Sequence, residues 1–234
     1  MVTEKKAELL AGPVCTVLVG SEQQAFSVHK ALICGHSLFF DTALNGPWAE
    51  TSKHTVELPE DEPKIFSLYL HWLYYGNIPV LADRTHLKEM SGDELDTAED
   101  EIVNNEYTQL FKACVLAEKY FDAEFHDTVI NAVLEKINTP EEVSENRRPP
   151  GSLPVTWLFN HAHILSPICR LVVDDYAKEG SSDWLEDPVT PTDLPATFFR
   201  MLSQRLMGKR RASSRWTLRP EDYFYANLSP KRKR

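Results

Sequence analysis

The residues of this chain that come closest to a metal-binding pattern are His161 and His163. Two histidines spaced H-x-H share one face of an extended segment, and imidazole nitrogens are common ligands of zinc. The surrounding residues 155–164, however, have the apolar spacing of an α-helix, on which positions two apart diverge by about 200°. We therefore predict that this pair does not bind a metal.

The sequence lacks the short motifs that most often carry catalysis or phosphate binding. It contains no G-x-G-x-x-G, G-x-x-x-x-G-K-[ST], G-x-S-x-G or H-E-x-x-H. These observations predict a protein that is not an enzyme and that uses no cofactor.

The four cysteines, Cys15, Cys34, Cys114 and Cys169, show no C-x-x-C spacing and have apolar neighbours. Such cysteines are typical of reduced, buried thiols rather than of disulfides or zinc sites. No apolar run approaches the ~18 residues of a membrane span, and the first residues lack the apolar core of a secretion signal. We predict an intracellular protein, in the nucleus, the cytoplasm or both.

The net charge of −10 conceals two segments of opposite sign. Residues 82–106 contain nine acidic and two basic residues, with few large apolar ones. This composition predicts an exposed, mobile insertion, and a solvated loop is favoured over an acidic strip that binds a partner. Residues 205–234, in contrast, contain ten basic and two acidic residues.

The sequence supports two interpretations of the basic tail about equally. It holds clusters at residues 209–211 and at the terminus, and the terminal one is a candidate nuclear import signal formed by Lys231, Arg232, Lys233 and Arg234. The alternative is solvated charge. Ser213 and Ser229 lie beside these clusters in forms that basic-directed and proline-directed kinases accept, so a phosphate could offset part of the charge.

Apolar periodicity over the first half of the chain predicts a small α+β unit. Residues 14–19 and 25–28 read as a β-hairpin around a polar turn, and residues 30–44 as two short helices, with Ser37 capping the second and Asn45-Gly46 ending it in a left-handed residue. Residues 55–58 alternate as a half-buried strand. A helix follows from Asp61 to Gly76.

The residues at the hairpin junction resemble the BTB/POZ domain. The form F-x-x-H-K-x-x-L-x-x-x-S-x-F-F is met at Phe26, His29, Lys30, Ser37, Phe39 and Phe40, with Leu32 one residue before the position of its leucine. Leu116-Ala117-Glu118-Lys119-Tyr120 matches a further L-A-x-x-Y pattern of the family. The resemblance implies a BTB/POZ fold, a small mixed sheet with clustered helical hairpins, over residues 13–137.

Residues 1–12 then form an N-terminal segment, residues 138–153 a linker and residues 209–234 the basic tail. Residues 154–208 read as an all-α extension of three helices, at 155–164, 167–179 and 195–207. The chain resembles the short fungal-type members of the family, which consist of the module and a helical tail.

The resemblance implies a non-catalytic protein-interaction module that acts as a substrate adaptor for a cullin-type ubiquitin ligase. The implied scaffold-facing surface is formed by Asp41, Leu44, Trp48, Glu50, Tyr74 and Tyr75. The alternative is a nuclear transcription or chromatin regulator that uses the module for assembly and the basic tail for import or nucleic-acid contact, although nucleic-acid binding is disfavoured. Self-association stays open, but Pro13-Val14 and the short segment before it argue against an arm-exchanged dimer.

Overall fold

A computed structural model describes residues 9–46, 55–180, 194–209 and 219–225. The chain divides into two compact units. The first takes in the residues up to Pro79 together with Leu116–Thr128. The second takes in Val80–Val115 and the residues from Val129 onward. The predicted bounds of 13–137 for the interaction domain remain a prediction.

The first unit is built on a three-stranded mixed sheet in the order β2-β1-β3. Strand β1 (Val14–Val19) pairs antiparallel with β2 (Gln24–His29) and parallel with β3 (Thr55–Leu58). Side chains alternate across a strand, so Cys15, Val17 and Val19 of β1 are buried together. The predicted hairpin and third strand are confirmed.

Two short helices follow β2, and Ser37 joins them. Helix α1 spans Lys30–His36 and α2 spans Leu38–Asn45. The Ser37 hydroxyl accepts a hydrogen bond from the Phe40 N–H at 3.2 Å, which confirms the predicted cap, and donates to the Tyr120 carbonyl at 2.7 Å. The predicted left-handed end is wrong, because Gly46 has φ −67° and leaves the helix in an extended conformation.

Helix α3 spans Pro63–Tyr75 and ends at Gly76, whose φ of 77° is the left-handed conformation typical of a helix C-terminus. Asp61 lies before the helix rather than in it. Its carboxylate accepts hydrogen bonds from Lys119 Nζ at 2.6 Å and from the Tyr120 hydroxyl at 3.0 Å. Asp61 therefore ties the start of α3 to residues 116–128, which complete the first unit.

Helix α4 (Gly92–Tyr120) contradicts the prediction of a loop over residues 92–106, although many residues of this stretch are exposed as predicted. Its first half is acidic, yet Glu99, Val103 and Glu106 are buried. The side chains that compensate these carboxylates come from other parts of the second unit: Arg148 contacts Glu99, and Arg84 and Lys136 contact Glu106. A helix with this many acids is stable here because distant cations neutralise it.

Helix α5 spans Ala123–Asn138, and its residues from 129 onward belong to the second unit. The second unit continues with α6 (Ser152–His161), α7 (Pro167–Glu179) and α8 (Ala196–Lys209). Two 3-10 turns, Thr85–Glu89 and Pro220–Asp222, belong to it as well. Helix α7 is its most buried element and runs through a core that includes Leu171 and Val172. The predicted helical C-terminal part is confirmed, and no helix in the described ranges is long and apolar enough to span a bilayer.

The two histidines of the H-x-H pair lie in different backbone environments. Helix α6 ends at His161, three residues earlier than predicted, so His163 lies outside it. His161 Nδ1 is 2.7 Å from the Trp157 carbonyl oxygen, and His163 Nδ1 accepts from the Leu165 N–H at 3.2 Å. Each ring is thus engaged with its own neighbouring backbone.

The predicted linker has irregular backbone at residues 145–151, but ion pairs hold it in place. Arg147 pairs with Asp175 of α7 at 2.5 Å, and Arg148 pairs with Glu99 of α4 at 2.8 Å. Arg148 also contacts Asp96 and Asp100. This stretch is therefore packed within the second unit.

Candidate functional site

The His29-Lys30 dipeptide connects two helix ends of the first unit. His29 Nδ1 lies 2.8 Å from the Tyr74 hydroxyl, which also accepts from the His29 N–H at 3.2 Å. Lys30 Nζ donates to the Leu44 carbonyl at 3.0 Å, a favourable place for a cation because the last carbonyls of a helix lack partners. The dipeptide thus fixes the C-terminal ends of α3 and α2 on either side of the strand-to-helix junction.

Three of the six predicted partner-binding residues, Leu44, Tyr74 and Tyr75, lie at these two helix ends, and a fourth, Asp41, lies in the first turn of α2. Asp41 is exposed one turn from the end of α2, where it accepts from Asn45 Nδ2 at 2.9 Å. Leu44 is only 7% exposed, so little of its surface is accessible to a partner. Tyr74 is half-buried through its contacts with His29, whereas Tyr75 is 74% exposed.

Trp48 and Glu50 lie outside the described residues, as do Lys231, Arg232, Lys233 and Arg234 of the predicted import signal. The partner-binding assignment of all six residues remains a prediction.

The thiol of α1 is a poor candidate for nucleophilic chemistry. Cys34, the thiol of α1, has its pKa raised to about 11 by burial and by the negative charge of Asp41. A thiol with that pKa stays protonated at neutral pH and is a poor nucleophile. An exposed aromatic ring on a braced backbone is instead typical of a recognition surface.

An exposed apolar pair lies beside the Ser37–Tyr120 hydrogen bond and was not predicted. Leu38 is 48% exposed and Phe121 is 56% exposed. Phe121 also has φ 54°, a left-handed conformation that is uncommon for an aromatic residue. In the sequence, Phe121 is the second residue of the aromatic doublet Tyr120-Phe121, of which only Tyr120 is buried.

The first unit thus combines a mixed sheet, a capped helix pair and braced helix ends. Residues 7–99 match the family model of the BTB/POZ domain. The chain therefore carries a BTB/POZ domain, as its sequence indicated, within an α+β protein that has a helical C-terminal part. The matched range ends before Leu116–Thr128, which complete the first unit.

Proposed function

We propose that this protein is a non-catalytic adaptor that binds a cullin-type ubiquitin-ligase scaffold through the braced ends of α2 and α3. The observation that carries the proposal is the bridge from Tyr74 through His29-Lys30 to Leu44, which holds the exposed Asp41 and Tyr75 on fixed backbone. A recognition surface that is ordered before binding loses less conformational entropy when its partner docks.

Charge reversal at Asp41 and Glu50 is expected to weaken scaffold binding by about 10-fold or more without unfolding the protein. Exposed interface charges act mainly on association rate and specificity. Asp41 also lies in the first turn of α2, where a carboxylate contributes only about 0.3–1 kcal/mol through the helix dipole. Surface plasmon resonance of Asp41→Lys/Glu50→Lys with a purified cullin-type scaffold measures the effect, together with its salt dependence.

Glu22→Lys is the matched control, because Glu22 is an exposed acid in the turn between β1 and β2. This variant should bind the scaffold with an affinity within about twofold of the wild type. If net charge alone controlled binding, Glu22→Lys would weaken it as well. Equal binding by the double variant and the wild type would remove this surface from consideration. A wild-type protein that binds no cullin-type scaffold would favour the nuclear regulator instead.

The alternative function draws on the two basic clusters at residues 209–211 and 231–234. Truncation after Ser229 is expected to shift a large fluorescent fusion from nucleus to cytoplasm, and Ser229→Glu to shift it in part. A phosphate at Ser229 would bring up to about two negative charges within a Debye length of roughly 8 Å of the terminal bases. Fluorescence microscopy of living cells measures both effects.

Removal of residues 209–211 provides the comparison for this experiment. If that change alone empties the nucleus, the internal cluster is the signal; if neither change moves the fusion, the tail is solvated charge. A steep loss of nucleic-acid affinity with salt would add support for the regulator, because phosphate contacts release counterions.

A further inference from the structure

A carboxylate that the interaction surface does not use is buried in the second unit. Asp174 of α7 is 3% exposed, in a helix whose buried face includes Leu171 and Val172. Arg205 of α8 pairs with it, Nε lying 2.5 Å from Oδ1. Arg205 NH2 also donates to Oδ2 at 3.2 Å. Burying a carboxylate is costly unless it is paired and hydrogen-bonded, so a second donor to Oδ2 stabilises the buried charge further.

That donor comes from the short segment 219–225. The Tyr223 hydroxyl donates to Asp174 Oδ2 at 2.8 Å. Arg170, one turn before Asp174, places its guanidinium 5.4 Å from the centre of the Tyr223 ring and donates to the Asp222 carbonyl. Asp174 thus contacts the hydroxyl, and Arg170 contacts both the ring and the preceding backbone.

Tyr223 is the one buried residue of the described segment 219–225. Tyr223 is 2% exposed, whereas the other residues of 219–225 are exposed or half-buried. Pro220–Asp222 form a single 3-10 turn that presents the tyrosine. One buried aromatic anchor with an exposed surround is the arrangement by which short peptides obtain most of their binding energy.

We propose that the surface formed by Arg170, Asp174 and Arg205 is a docking site for short tyrosine-containing peptides of partner proteins, and that residues 219–225 occupy it in cis. An unphosphorylated tyrosine in a peptide can make all three contacts: its hydroxyl reaches Asp174, its ring lies against Arg170, and the carbonyl of the residue before it accepts from Arg170. Phenylalanine leaves Asp174 without the hydroxyl donor, and a site built for a hydroxyl discriminates strongly against an analogue that lacks it. Phosphotyrosine brings negative charge against the buried Asp174 carboxylate and is excluded.

This inference extends the proposed function, since an adaptor needs a second site for the protein that it presents. Its test uses a peptide and no scaffold, so the two proposals fail independently. The probe is a labelled peptide with the sequence of residues 219–225, Arg-Pro-Glu-Asp-Tyr-Phe-Tyr.

The full-length Tyr223→Ala variant is expected to bind the probe at least about 10-fold more tightly than the wild type. In the wild type the cis segment competes at an effective concentration on the order of millimolar. A probe carrying Tyr223→Phe should bind the variant at least about 10-fold more weakly, because a hydrogen bond to a charged group is lost. Fluorescence anisotropy measures each affinity, and a phosphorylated probe should show no binding.

A second measurement covers the case in which Tyr223→Ala does not fold. Excess unlabelled probe added to isotope-labelled wild-type protein should displace the cis segment, seen as NMR shifts of Tyr223 and its neighbours. The proposal is overturned if these signals stay unchanged, if the folded Tyr223→Ala variant does not bind the probe, or if the tyrosine and phenylalanine probes bind equally.

Discussion

Phe40→Ala is expected to lower the free energy of unfolding of the first unit by about 3–5 kcal/mol, the usual cost of truncating a fully buried phenylalanine. The Phe40 side chain has no solvent exposure. Its ring centre lies 5.0 Å from that of Tyr120, 6.3 Å from that of Phe66 and 6.5 Å from that of Tyr69. Truncation leaves a cavity among rigid rings, which collapse poorly around it.

The measurement is the denaturant dependence of hydrogen exchange in peptides from α1 and α2, because a global signal would mix the two units. Leu38→Ala is the matched control. Leu38 is two residues away in the same helix but 48% exposed, so its truncation should cost less than about 1 kcal/mol. A loss below about 1 kcal/mol for Phe40→Ala would show that the helix pair does not pack as described.

Glu106→Ala is expected to cost about 3–5 kcal/mol in the second unit, because it leaves two buried cations with a single carboxylate and removes the acceptor of the Ala82 N–H. Glu106 Oε2 lies 2.7 Å from Arg84 NH2 and 2.5 Å from Lys136 Nζ, and Oε1 accepts from the Ala82 N–H at 2.7 Å. Glu141 contacts the same two cations, at 2.7 and 3.2 Å. All four charged side chains are nearly inaccessible to water.

Two comparison variants separate the causes of this loss. Asp93→Ala removes an exposed acid from the same helix and should change stability by no more than about 0.5 kcal/mol. Glu106→Leu/Lys136→Met removes one charge of each sign and should recover part of the loss, because the penalty comes mainly from unpaired burial. Hydrogen exchange in peptides of α4 and α5 reports each variant, and a loss of less than about 1 kcal/mol for Glu106→Ala would contradict the closed ion network.

The pH dependence of the free energy of unfolding tests the same ion network independently. Burial by itself would raise the pKa of Glu106, but hydrogen bonds from Arg84, Lys136 and the Ala82 N–H outweigh it and hold the pKa below its usual value. A carboxylate with a lowered folded-state pKa adds stability above its unfolded pKa and loses it as the pH falls through the folded value. The wild type should therefore lose stability below about pH 4.5 more steeply than Glu106→Gln.

Local sequence was sufficient to predict the first half of the fold. The Ser37 cap and the Gly76 stop each depend on residues only a few positions apart. Such features follow from backbone preferences and apolar periodicity, which act over one or two turns. The BTB/POZ resemblance and the helical C-terminal part were read from the same kind of signal.

Long-range pairing decided what composition could not show. Residues 82–106 looked like a solvated loop because their neutralising partners, Lys136 and Arg148, are 30 and 49 positions away from Glu106 and Glu99. Tyr223 likewise meets Asp174 across 49 positions, so neither residue stands out in the sequence. A buried charge is tolerated only where the tertiary fold supplies its partner, and local composition carries no record of that partner. For this reason the sequence determined the module and its junctions, while the tertiary structure alone decided the acidic helix, the ion network and the tyrosine site.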